Sequence, residues 1–137
     1  MATFMARKTN NKKEYDDHII DALLKLKAPI IGKGGKLFLI RDDARYESGI
    51  KHIASKSHRL KVRDIEMLPL ILKHPKMVVV DPNNKNYRNY YGIRKGTSDS
   101  ALLKIITWPY ENNPNIELIV TIFPTKSIRV EKTKKNS

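Results

Sequence analysis

The chain has 137 residues, 40% of them hydrophobic and 30% charged, the balance of one globular domain and not of a disordered chain. Lys and Arg outnumber Asp and Glu by 27 to 14, a net charge of +13. This points to a polyanionic partner, with a lysine-rich codon bias as the alternative source of the surplus. The absence of cysteine excludes disulfides, thiol nucleophiles and Cys-based zinc sites, no apolar run reaches the ~20 residues that span a bilayer, and the basic N-terminus lacks the apolar core of a secretory signal, so a cytoplasmic protein without a membrane partner is expected.

Residues 1–12 read as a basic lead-in without periodicity, 13–129 as a single domain and 130–137 as a basic tail. A helix is expected over about residues 13–27, where Ile19, Ile20, Leu23, Leu24 and Leu26 recur at helical spacing before Pro29. Gly32, Gly34 and Gly35 mark a turn, and residues 37–40 a short strand. This Gly-Lys-Gly-Gly-Lys stretch lacks P-loop spacing and leads into a strand, so nucleotide binding is rejected there. A second helix is expected over about residues 44–59, with Asp42 and Asp43 as N-cap candidates, and a third over 63–73, kinked at Pro69.

After Lys76 the pattern changes to strands at 77–80, 87–94, 102–108 and 116–123, joined by links rich in Asp, Asn, Gly and Pro. Such links are too short for crossover helices. The expected fold is therefore α+β, with N-terminal helices packed on a four-stranded antiparallel meander.

Three constellations can carry chemistry. On the second helix, a 3.6-residue turn places His52, Lys56 and Arg59 on one stripe beside an apolar one, with a solvated basic face as the alternative. On the strands, Lys104 and Thr121 are polar residues inside apolar runs. A snorkelling lysine and an ordinary β-branched residue are the bland readings. Strict alternation groups Glu117, Ile119, Thr121 and Phe123 on one face, and Arg88, Tyr90 and Arg94 on one face of their strand. Tyr87, Tyr90 and Tyr91 interleaved with Arg88 and Arg94 suit stacking on unpaired bases, or cross-strand aromatic pairing. His18 with Asp17 and Asp21 has no further ligand at metal-site spacing, and His74 suits a helix C-terminus.

The order of a His-bearing helix, a further helix and a meander with late Lys and Thr resembles the phage-associated branch of the barnase–EndoU–colicin–RelE nucleases. The resemblance covers about residues 44–125: Gly49-Ile50-Lys51-His52-Ile53 with His58 six residues on, then Asp64-Ile65, Ile71-Leu72, residues 76–81, Tyr90, Lys104 and Thr121-Ile122-Phe123. It implies metal-independent RNA cleavage without a cofactor, in which the substrate's own 2′-hydroxyl attacks to leave a 2′,3′-cyclic phosphate, with DNA spared. On that reading His52 is the general base or acid, and Lys104 and Thr121 hold the scissile phosphate. Tyr90 or His58 supplies the second proton-transfer group, and Lys51, His58, Arg59, Arg88 and Arg94 bind substrate. The implied partners are RNA and an acidic antitoxin or immunity protein. The competing expectations are a non-catalytic RNA- or DNA-binding module, and a basic protein that neutralises an acidic partner.

Overall fold

The computed structural model describes residues 14–26, 29–41, 49–94 and 102–126. The expected lead-in, the tail and the N-cap candidates Asp42 and Asp43 lie outside them.

Helix α1 (Asp17–Lys25) starts where Asp16 caps it, its carboxylate accepting from the backbone N–H groups of His18 and Ile19. The cap satisfies donors that the first turn leaves orphaned, and the helix buries Ile19 and Leu23. A hairpin follows, with β1 (Ile30–Ile31) antiparallel to β2 (Leu37–Ile40). Gly34 and Gly35 close its turn in the left-handed region (φ 69° and 82°), which glycine enters without steric cost.

The expected second helix is a single turn, α2 (Ile50–Ile53), followed by a 3₁₀ turn at Lys56–His58. Gly49 precedes α2 at φ 92°, so helical geometry starts after it. Arg59 ends the stretch in the left-handed region. His52, Lys56 and Arg59 therefore do not share a helical stripe, because the helix stops after Ile53. The third expected helix divides into α3 (Val62–Glu66) and α4 (Leu68–Lys73), with Pro69 in the first turn of α4, where its missing N–H leaves no bond unmade.

Strands β3 (Met77–Asp81), β4 (Asn84–Ile93), β5 (Leu102–Pro109) and β6 (Ile116–Thr125) run antiparallel in sequence order. The sheet does not stop at four strands. Its order is β1-β2-β6-β5-β4-β3, with β2 parallel to β6. The sheet is thus six-stranded and mixed, within an α+β fold. A four-residue apolar run such as Leu37–Ile40 shows that a strand forms, but not which strand it joins.

The helices cover one face of the sheet. The core there is built from Ile19, Leu23, Phe38, Ile53, Ile65, Leu68, Leu72, Leu103, Ile105, Ile119 and Ile122. The buried ion pair of Arg94 with Asp64 ties β4 to α3: Nε donates to Oδ1 at 2.9 Å and Nη2 to Oδ2 at 3.0 Å. The same carboxylate accepts from the Lys61 N–H at the start of α3. Arg94 Nη2 also donates to the Arg59 carbonyl, fixing the left-handed turn next to His58.

Candidate functional site

A register break in β6 sorts the polar residues onto two faces. Thr107 pairs with Ile119 but Ile106 pairs with Thr121, so Val120 is an extra residue, a β-bulge. Glu117 and Ile119 consequently face the helices with Thr107, whereas Thr121 and Phe123 share the far face with Ile106 and Lys104. The single face expected for Glu117, Ile119, Thr121 and Phe123 is thereby split.

On the far face Lys104 pairs with Phe123 on one side and Tyr91 on the other. Its ammonium lies 5.3 Å from the Phe123 ring and 5.9 Å from the Tyr91 ring. Thr121, two residues before Phe123, is 8% exposed, and its buried hydroxyl has no hydrogen-bond partner among the described residues. Strand β2 pairs only with the first part of β6, Ile116 to Ile119. Beyond it His58 lies against the Phe123 ring at 6.2 Å, and His52 meets His58 edge to face at 5.1 Å. Burial and the neighbouring His52 hold the His58 imidazole below its ordinary range, against the opposing pull of the Ile122 and Ile53 carbonyls. Its Nδ1 is buried and makes no close hydrogen bond among the described residues.

A second cluster occupies the helix-facing side. The Glu117 carboxylate has no exposed surface. Its Oε2 accepts from Lys36 Nζ at 2.7 Å and Arg88 Nη1 at 3.0 Å, and its Oε1 from the Thr107 hydroxyl at 2.6 Å and the Tyr90 hydroxyl at 2.8 Å. Burial alone would raise its pKa. The hydrogen bonds from Lys36, Thr107 and Tyr90, with the Lys36 charge, outweigh burial and hold the carboxyl below its usual range. The Tyr90 phenol moves the other way, far above its usual range, through burial and then the Glu117 carboxylate.

The nine sequence-predicted residues thus separate. His52 meets His58, His58 and Lys104 both lie against the Phe123 ring, and Thr121 shares the face of Phe123 on β6. Lys51 and Arg59 are exposed on the same 49–59 segment. Tyr90 and Arg88 belong to the Glu117 cluster on the other face, and Arg94 is turned inward onto Asp64. Glu117, Lys36 and Thr107 were missed. The available signal was the one that marked Lys104, a charged residue inside an apolar strand, and it applied equally to Glu117. Among the described residues no group of three His, Asp or Glu side chains is placed to hold a metal ion, and no helix is long and apolar enough to cross a membrane. Comparison with family models, curated proteins and solved structures finds no match to this chain.

Proposed function

We propose that the protein is a metal-independent endoribonuclease that works on the far face of its sheet, around Phe123. The observation that carries the reading is the continuous contact from His52 through His58 and Phe123 to Lys104, with the unpartnered Thr121 hydroxyl on the same face. Two imidazoles linked to a cation through the Phe123 ring are the kinds of group that phosphodiester transfer needs. His58, kept neutral by its surroundings, takes the proton of the ribose 2′-hydroxyl. The 2′-oxygen bonds to phosphorus and the 5′-oxygen bond breaks. His52 protonates the departing 5′-oxygen, leaving a 2′,3′-cyclic phosphate and a 5′-hydroxyl. Lys104 stabilises the charge that builds on the phosphorane oxygens, while the Thr121 hydroxyl on the same face is buried in the free protein. Tyr90, committed to Glu117, leaves the second proton-transfer role to His58.

The same face extends toward Trp108, which Arg41 covers at 5.3 Å and Tyr87 meets edge to face at 5.3 Å. Aromatic rings beside guanidinium suit stacking against unpaired bases. The test is incubation with RNA in EDTA. The folded protein is expected to release fragments with cyclic phosphate ends and to spare DNA. His52→Ala should slow cleavage by about 10²-fold or more, the usual scale of acid–base catalysis, with its urea midpoint unchanged. RNA binding without cleavage by the wild-type protein would replace the enzyme with a binding module.

A further inference from the structure

The glycine–lysine turn Gly32-Lys33-Gly34-Gly35-Lys36 has no part in the ribonuclease reading, yet it borders the buried Glu117 cluster. Together with Phe38, Leu72, Pro75, Val78 and Tyr90, Lys33 and Lys36 line a cavity of about 190 Å³. Glu117 does not line it but accepts from its Lys36 and Tyr90, and Arg88, which donates to the same Glu117 oxygen as Lys36, stands beside that lining.

The cations here are held in place and only partly used. Lys36 and Arg88 donate to the same Glu117 oxygen, so their charged nitrogens are neighbours, and they remain 30% and 42% exposed. Each gives that oxygen a single donor. The other two Lys36 ammonium protons, and the Arg88 Nε and Nη2, have no acceptor among the described residues. Lys33 stands exposed on the same lining as Lys36 and makes no ion pair among the described residues. The Glu117 charge is already met by four donors, so it does not repel an incoming anion as a free carboxylate would. One carboxylate against Lys33, Lys36 and Arg88 leaves two positive charges, which match a phosphate monoester of about −1.5 to −2. The wall opposite the cations is apolar, and Val78 is 43% exposed there.

We propose that this groove is a phosphate-binding site: Lys36 and Arg88, pinned by Glu117, and Lys33 grip the phosphate of a small phosphomonoester whose organic part rests on Val78 and Pro75. The buried carboxylate acts as the anchor that preorganises both cations, lowering the entropy lost on binding. The site lies on the helix-facing side of the sheet, away from Lys104 and His52, and stands whether or not the protein cleaves RNA.

The test is an amide-resolved NMR titration of the full chain at constant ionic strength, with inorganic phosphate, a nucleoside monophosphate and a short RNA as separate probes. Phosphate and the monophosphate are expected to shift the amides of Gly34, Gly35, Lys36 and Val78, the monophosphate binding more tightly because it also covers the apolar wall. Shifts at these amides with RNA alone would keep the site and assign its phosphate to a nucleic-acid backbone. Lys33→Ser, at an exposed position that does not touch Glu117, should weaken binding at least tenfold, and Lys36→Met further. Lys25→Ala, an equal loss of charge elsewhere, should leave binding within twofold, and so should His52→Ala. Shifts scattered over the surface, or equal weakening by Lys33→Ser and Lys25→Ala, would overturn the site.

Discussion

Glu117 joins β4, β5, β6 and the turn before β2 through Arg88, Tyr90, Thr107 and Lys36. It is a carboxylate without solvent contact, and it persists because every lone pair that faces a donor is used. Glu117→Ala would leave Lys36 and Arg88 side by side without an anion and Tyr90 and Thr107 without an acceptor. We expect a loss of about 3 kcal/mol in urea unfolding, the low end for breaking a buried pair because both cations are partly exposed. The folded carboxyl titrates below its ordinary value of 4.5, so the unfolded chain takes up its proton first. The associated stability is complete above that value and is lost as pH falls through the lower, folded one. Wild type should therefore lose stability on acidification below about pH 4.5 more steeply than Glu117→Gln, measured as urea midpoints between pH 6 and pH 3. Parallel pH profiles for the two proteins would show that the carboxyl is not held low. Lys104 and Thr121 were legible in the sequence as polar interruptions of apolar runs. The role of Glu117 was not, because its partners Lys36 and Arg88 lie 81 and 29 residues away.

Among the elements, α4 and β4 meet more closely than side chains normally allow. A Cβ added at Gly92 would stand 2.5 Å from both Cγ atoms of Ile71. The helix thus rests directly on the strand backbone, and this approach sets how near α4 sits to the sheet. Gly92→Ala should destabilise by about 1–3 kcal/mol, as overpacking in a close-packed core does. Ile71→Ala alone removes a buried side chain, and combining the two should cost less than their sum. A double-mutant cycle reads the difference, and strict additivity would show that the two residues do not touch. The strand pattern and the short links could be read in advance, whereas the third helix breaks at Met67, with Pro69 inside the first turn of α4 and not at a kink. The one-turn length of α2 could not be so read, since the spacing of Ile50, Ile53, Ser57 and Leu60 continues past Ile53, where Ala54, Ser55 and Lys56 leave the helix to pair with residues 14–16.

For the whole molecule, the net charge of +13 makes any RNA complex sensitive to salt. On a single strand, each neutralised phosphate contributes about −0.7 to the slope of log K against log salt. If Lys104 contacts the scissile phosphate, Lys104→Gln should flatten that slope by about 0.7, measured by anisotropy of a labelled uncleavable RNA. An unchanged slope would place the RNA on another surface, the groove at Lys33 and Lys36 being the first to examine.

Composition, breakers and alternation were enough to determine an α+β chain with a late run of antiparallel strands and a strongly basic character. These are local properties, set by period-2 and 3.6-residue patterns and by turn chemistry within a few residues. Tertiary structure alone decided that β2 lies parallel beside β6, that Tyr90 joins Glu117 while His58 joins His52, and that Thr121 faces away from Glu117. The reason is physical: one additional residue at Val120 inverts every side chain after it. A bulge is fixed by the strand paired opposite, not by the sequence that carries it.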